Sequence, residues 1–273
     1  MGWISFDPLR TLGFPDTRYL KPDPRFSERE LLSQADWILF PEYWQVNALV
    51  YGYKRRIFPS HASYLLGHDK IEMTRAFTAV APRHVPETYI AANTPEKASE
   101  LWDHMLLPFV AKIPRSSQGQ GVWLNESSTD WKNYLAVADM LYVQEHLPID
   151  RDLRIVRVGK EILAAYWRLQ SPYTFHNNIS RGGDIEYSLV PEAAIALVEQ
   201  VSEALGIDHA GFDVAMVDGH PYLIEFNRLF GNAGIFDGDL RLRNTIIQYL
   251  KAQDLPERPT SNHRGKRRLR RAA

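Results

Sequence analysis

Asp213, Glu225 and Asn227 stand in the stretch GFDVAMVDGHPYLIEFN, residues 211–227. Two alternating apolar runs flank Asp218–Gly219, a turn signal, so the stretch reads as a β-hairpin. Side chains alternate faces along a strand. One face then carries Phe212, Val214, Met216, Tyr222, Ile224 and Phe226, a core face. The other carries Asp213, Ala215, Val217, Leu223, Glu225 and Asn227. A short turn sets Asp213 opposite Glu225. Like charges facing each other across strands are destabilising. Two carboxylates and an amide oxygen on an otherwise apolar face therefore suit a bound hard cation. All-oxygen ligands fit Mg²⁺, which takes few protein carboxylates and completes its shell with phosphate oxygens and water. On this reading, neutralising either carboxylate lowers activity without lowering stability. A solvent-facing strand end with three unrelated polar residues is the plainer alternative.

A second cluster of chemistry lies in AKIPRSSQGQGVWL, where Lys112 on a strand precedes a loop of small residues from Ser116 to Gly121. Glycines let backbone N–H groups approach an anion, and lysine adds a point charge for phosphate. The loop is neither a P-loop nor a dinucleotide fingerprint, since GxxxxGK[ST] and the third glycine are both missing. A flexible hairpin connection explains it equally well. Arg154 and Arg168 sit in largely apolar strands, and Arg181 follows in NNISRGGD. A charge there needs a partner. That partner is either a phosphate or carboxylate ligand or an ordinary salt bridge, for example from Asp152.

These groups must be held by an α/β framework. The chain has 273 residues, 45% hydrophobic and 24% charged, enough for one large domain or a few small ones. Short strands are expected at Trp3–Phe6, Trp37–Phe40 and Arg56–Pro59, with Gln45–Tyr53 helical. A helix over His68–Val80 enters through Asp69, and another over Pro95–Met105 starts at Thr94 as N-cap. After the strand around Lys112 come a helix over Thr129–Ala138 and a strand at Leu141–His146. A second hairpin spans 152–169 and turns at Gly159–Lys160, and an amphipathic helix over Pro191–Leu205 ends at Gly206.

Composition excludes several classes of function. No run of some 18 apolar residues suggests a membrane span. The first residues, MGWISFDPLR, lack a basic region followed by an apolar one, so no signal peptide is expected. There is no cysteine, which excludes disulfides, thiolate metal sites and cysteine nucleophiles and fits a cytoplasmic protein. Net charge is −1, yet residues 256–273 hold seven Lys/Arg against one Glu. That stretch reads as a disordered basic tail suited to an acidic partner, though it has no aromatics to stack on bases.

Taken in order, a lysine strand, a glycine loop, an acidic strand end, a basic hairpin and an oxygen-ligand hairpin resemble the ATP-grasp superfamily. The likeness is strongest to its RimK-like and glutathione synthetase-like branches, over roughly residues 60–235. The resemblance implies two α+β subdomains that grip ATP, residues 68–143 and 144–255, after a short α/β N-terminal domain over residues 1–67. It implies phosphate contacts from Lys70, Lys112 and the loop Ser116, Ser117, Gln118, Gly119 and Gly121. Gln144, Glu145 and Leu147 would frame adenine, and Asp152 would hold the ribose hydroxyls. Arg154, Arg168, Asn178 and Arg181 would face the phosphoryl group or the activated carboxylate. Asp213, Glu225 and Asn227 would hold Mg²⁺, or Mn²⁺ in its place.

The implied activity is ATP-dependent joining of a carboxylate to an amine through an acyl-phosphate. Small-molecule or peptide substrates are expected, and a homodimer is compatible with the sequence. Two departures fall on the acceptor side. His176 stands where the branch often has arginine, and Arg228-Leu229-Phe230-Gly231 replaces its small residues and Pro-Gly. They put a glutamate or cysteine substrate in question. A kinase acting on a small molecule and a non-catalytic nucleotide-binding scaffold are the alternatives.

Overall fold

The computed structural model describes residues 2–116, 121–169 and 184–254. The basic tail, Ser117 to Gly119, His176, Asn178 and Arg181 lie outside the described residues. In chain order the strands and α-helices are β1 (Trp3–Ser5), β2 (Thr17–Tyr19), α1 (Arg29–Gln34), β3 (Trp37–Leu39), β4 (Arg56–Phe58), α2 (His61–Leu66) and α3 (Lys70–Val80). There follow β5 (Thr88–Ala92), α4 (Pro95–His104), β6 (Phe109–Lys112), β7 (Val122–Asn125), α5 (Ser128–Leu135) and β8 (Met140–Glu145). The C-terminal part adds β9 (Arg151–Val158), β10 (Glu161–Leu169), β11 (Ile185–Glu186), α6 (Glu192–Leu205), β12 (His209–Val217), β13 (His220–Asn227) and α7 (Gly238–Gln253).

Three sheets organise these elements. The first is parallel, in the order β2-β1-β3-β4. The second, β5-β8-β6-β7, and the third, β11-β10-β9-β12-β13, are antiparallel. Helices α3 and α6 cover the inner face of the third sheet. Phe77, Leu197, Val198 and Val201 meet Leu153, Ile155, Phe212 and Val214 there in one core. On its opposite side Val156, Val158 and Leu163 share a core with Trp3, Leu39 and Phe58 of the first sheet and with Ile246 and Leu250 of α7. The N-terminal layer is thus packed directly onto the third sheet.

Local chemistry explains the helix starts. Asp69 Oδ1 accepts from the Ile71 amide at 2.8 Å, and Thr94 Oγ1 from the Lys97 amide at 3.3 Å. Both caps satisfy amides that have no partner inside the helix. Ser127 and Asp130 form a reciprocal capping box on α5, which begins one residue earlier than the sequence suggested. The expected helix over Gln45–Tyr53 is present as a 3-10 turn at Tyr43–Gln45 that runs on into a π-helical segment at Ala48–Gly52.

The two hairpins take the expected form. Gly159 adopts a φ of +60° at the turn between β9 and β10, and Asp218 and Gly219 both have positive φ between β12 and β13. Asp213 pairs with Glu225 as expected. The face assignment of β13 needs correction, because the register shifts between Asp213/Glu225 and Val214/Leu223. Ile224 is the extra residue of a β-bulge, and a bulge flips the alternation beyond it. Leu223 therefore joins Phe212 and Val214 in the core, while Tyr222 and Ile224 are only partly buried.

Candidate active site

One face of the third sheet carries a row of charges, one strand after another. Arg168 on β10 pairs in register with Asp152 on β9, and Arg154 on β9 pairs with Asp213 on β12, opposite Glu225 on β13. Residues directly opposite across strands share a face, and opposite charges there attract. The side chains use that placement. Arg168 forms a two-pronged contact with Asp152, Nε to Oδ1 at 2.7 Å and Nη2 to Oδ2 at 2.6 Å. The same Nη2 lies 3.0 Å from Asp213 Oδ2. Arg154 reaches Asp213 Oδ1 from the other side, Nε at 3.1 Å, and donates from Nη1 to the Gly211 carbonyl at 3.0 Å. A Cβ at Gly211 would stand 2.6 Å from that Nη1, so only glycine leaves Arg154 room to lie across the strand.

Asp152, Arg168 and Asp213 are each no more than 6% exposed. Buried guanidinium–carboxylate pairs are stable only when every partner is present. Neutralising Asp213 would take a counter-charge from two guanidinium groups. The expectation that its removal leaves stability unchanged is therefore corrected for Asp213, and for Glu225 the loss is expected to be smaller, since its nearest cation, Lys70, stands 3.6 Å away. Both oxygens of Asp152 are engaged by Arg168. In this arrangement Asp152 orients Arg168, the salt-bridge alternative raised by the sequence.

Lys70 and Lys112 face this row from neighbouring elements. Lys70, the first residue of α3, donates to the Ser116 carbonyl at 2.5 Å and lies 3.6 Å from Glu225 Oε2. Lys112, at the end of β6, donates to Gln144 Oε1 at 2.6 Å. Gln144 spends its amide N–H on Thr88 Oγ1 at 2.9 Å, so its side chain anchors Lys112 and β5. Glu145 is tied to the Glu87 amide at 2.8 Å, while Leu147 lies two residues beyond the end of β8 and is partly buried. Ser116 Oγ donates to the Ile113 carbonyl, and Gly121 closes the other side of the loop with a φ of +71°.

The electrostatics separate the two carboxylates. Burial pushes Asp213 up to about 6, while Arg154 and Arg168 pull it back toward ionisation. Burial also acts on Glu225, but Lys70 and Lys112 outweigh it and leave Glu225 below the usual carboxylate range. Burial depresses the Lys112 ammonium to about 8, partly offset by Glu225.

Among the described residues no three His, Cys, Asp or Glu side chains cluster closely enough to hold a metal by themselves. The available donor set is two carboxylates and an amide. Asp213 Oδ1 is buried with Arg154 Nε 3.1 Å away but outside hydrogen-bond geometry, and Glu225 Oε2 has only the distant Lys70. The Asn227 side-chain N–H points to Glu225 Oε1 at 3.3 Å, which leaves its carbonyl oxygen unspent. Unspent oxygen lone pairs beside a basic surface fit a small hard dication that shares its shell with phosphate oxygens.

His68 and Arg228 were not among the expected site residues. His68 stacks on Tyr43 with ring centroids 3.7 Å apart, and Arg228 Cζ lies 4.8 Å over the Tyr64 ring. Both line a cavity of about 260 Å³ together with Lys70, Ser116, Glu225 and Asn227. The only sequence signal for Arg228 was its departure from small residues after Asn227.

Comparison with known proteins places this geometry. The RimK-like ATP-grasp domain profile matches residues 68–250. A ribosomal protein bS6–L-glutamate ligase of Escherichia fergusonii is 28% identical over 181 residues, covering 63% of this chain and 60% of the relative. A probable α-L-glutamate ligase of Legionella pneumophila is 29% identical over 202 residues, 70% of this chain and 65% of that protein. The chain thus spans between about 60 and 65% of the length of these two relatives. Among solved structures, a RimK domain ATP-grasp protein of Sphaerobacter thermophilus superposes with a TM-score of 0.70 at 16% identity, over 91% of this chain and 99% of that one. A D-alanine–D-alanine ligase of Bacillus anthracis gives 0.70 at 12% identity, over 93% and 98%. The fold is that of ATP-grasp proteins, and with a profile match spanning residues 68–250 the chain belongs to the RimK-like ATP-grasp family.

Proposed function

We propose that the protein is an ATP- and Mg²⁺-dependent ligase that activates a carboxylate as its acyl-phosphate and joins it to an amine. The observation that carries this reading is the row Arg168–Asp152–Arg154–Asp213–Glu225 facing Lys70 and Lys112. Relatives named as glutamate ligases support the reaction class. Residues 68–143 and 144–255 are proposed as the two gripping subdomains, with residues 1–67 as an N-terminal addition. Ser117, Gln118, Gly119, Asn178 and Arg181 keep their proposed roles on the resemblance alone.

In the proposed reaction a substrate carboxylate oxygen attacks the γ-phosphorus of ATP and ADP leaves. The amine nitrogen then attacks the acyl carbon, phosphate departs with the C–O electron pair, and the nitrogen loses a proton. Asp213, Glu225 and Asn227 would hold magnesium, which when bound neutralises charge on the β- and γ-phosphates; Mn²⁺ suits the same oxygen donors. Lys70 and Lys112 balance phosphate charge, and Glu145 and Leu147 at the end of β8 would border adenine. Arg154 is proposed to bridge Asp213 and the transferring group, and Arg168 to fix Asp213 in place. Such groups act by positioning and preset charge rather than by covalent chemistry. An ADP-release screen over carboxylates, with and without amines, tests this. Release that needs both substrates is expected. A stable phosphorylated product without any amine requirement would make the protein a kinase instead.

Lys112 gives the reading a pH signature. Its ammonium sits at about 8 in the free protein. A phosphate beside it favours the charged form and raises that value. Below pH 8 nucleotide binding then needs little proton uptake. Above it the free lysine is neutral and the bound one charged, so binding takes up a proton and affinity falls as pH rises. Calorimetry of ATP at pH 9 in buffers of different ionisation enthalpy should show uptake approaching one proton, absent in Lys112→Met. Equal apparent enthalpies in all buffers would remove Lys112 from the phosphate site.

A further inference from the structure

The cavity beside the triad carries one cation more than its anions require. Asp69 is occupied by Arg115, Nε to Oδ2 at 3.0 Å, and caps α3 through its other oxygen. Glu225 is shared between Lys70 and Asn227. Of the three cations lining the cavity, Lys70, Arg115 and Arg228, only Arg228 has no carboxylate opposite it in these contacts. Its Nε is buried and has no hydrogen-bond partner among the described residues. A buried donor left unpaired is costly, and a water or a ligand oxygen that supplies the acceptor removes that cost.

Arg228 is also held in place. Its backbone carbonyl accepts from the His209 ring Nδ1 at 2.6 Å. His209 is fully buried, and burial keeps its imidazole neutral with a value near 3, so Nδ1 carries the proton that this contact needs. The Tyr64 ring lies under the guanidinium and fixes its plane. Gly67 lets the α2–α3 turn come up against this strand end: a Cβ there would stand 3.0 Å from Phe226 and 3.5 Å from Arg228 Cβ. His68 opposite is held toward its neutral form by burial and by Arg228 and Arg115, which makes it a hydrogen-bonding wall rather than a further charge.

We propose that Arg228 binds a non-reacting anionic group, a carboxylate or a phosphate, on the substrate that occupies the cavity beside Glu225 and Asn227. This rests on the ligase reading and names the substrate class: a compound that carries a second anionic group besides its reacting one. An arginine whose fork is fixed by ring and backbone matches both anions in two-pronged fashion.

The test titrates inorganic phosphate and, separately, succinate into the protein saturated with magnesium and a non-hydrolysable ATP analogue. Filling the nucleotide site leaves to the probes the part of the cavity lined by His68, Arg115 and Arg228. One of the two is expected to bind, and which one distinguishes a phosphate-bearing from a carboxylate-bearing substrate. Arg228→Gln should weaken that binding by about 10- to 100-fold, the range for a charged hydrogen-bonding group. Arg228→Lys should fall in between, with both variants melting close to wild type. Equal probe affinity in wild type and Arg228→Gln, or no binding of either probe to wild type, would overturn the proposal. If the analogue itself does not bind, the ligase reading fails, and the same titrations on the unliganded protein still decide the role of Arg228.

Discussion

Replacing Glu225 by glutamine should lower turnover by about two to three orders of magnitude, the scale of removing one preset electrostatic group. Glutamine keeps the shape and the hydrogen bond from Asn227 but cannot supply a charged oxygen to a dication. Glu225 is only partly buried, and its nearest cation, Lys70, is 3.6 Å away, beyond hydrogen-bond distance. Lys70 and Lys112 hold Glu225 below the usual carboxylate range, so its charge contributes stability at neutral pH, and removing it should lower the thermal midpoint by about a few degrees, far less than breaking a buried pair. Activity loss far out of proportion to the stability loss is the signature of a residue placed for a ligand. Normal turnover in Glu225→Gln would remove it from the metal site.

Arg168→Leu should do the opposite. Its guanidinium touches two buried carboxylates, Asp152 and Asp213, and its removal strands the first of them without a cation. Breaking a buried pair on one side costs on the order of 3 to 5 kcal/mol. Adding Asp152→Leu should recover much of that loss, because the stranded carboxylate is gone and apolar neighbours fill the space. Activity should remain low in both variants, since Asp213 loses one of the two arginines that hold it. The pH dependence has a definite sign. A carboxylate stranded in the core has a raised folded-state value, so it contributes instability that grows as pH rises through that value. Arg168→Leu should thus be closer to wild type at pH 5 than at pH 8. Denaturant unfolding of the two variants at both pH values measures this. A wild-type midpoint for Arg168→Leu would show that the row of charges is not a structural unit.

Much of this site was legible because strands obey a period of two. Once Asp218–Gly219 is read as a turn, Asp213 must face Glu225, and the structure pairs them. The lysine at the end of β6 and the cap at Asp69 were readable for similar local reasons. What stayed hidden depends on contacts between distant segments. The bulge at Ile224 has no turn residue to announce it, so the faces of Tyr222 and Leu223 were exchanged. The choice of Asp152 as the partner of Arg168 rests on the register of β9 with β10, which a sequence leaves open between ribose contact and salt bridge. Strands β2 and β5 are short and only partly buried, and they lack the alternation that marks a strand. Arg228 carried no motif at all. Its meaning comes from Tyr64 and His209, residues some 160 and 20 positions earlier in the chain, which pack around it.

Asp213, Glu225 and Asn227, set opposite Lys70 and Lys112, are proposed to form a magnesium-dependent ATP site. Calorimetric titration of ATP into the wild-type protein, once in excess Mg²⁺ and once in EDTA, tests it most directly. Tight binding in magnesium that weakens by at least about tenfold in EDTA is predicted, because without the dication nothing bridges the triphosphate to the two carboxylates. Equal affinity in the two solutions, or no ATP binding in magnesium, would contradict it.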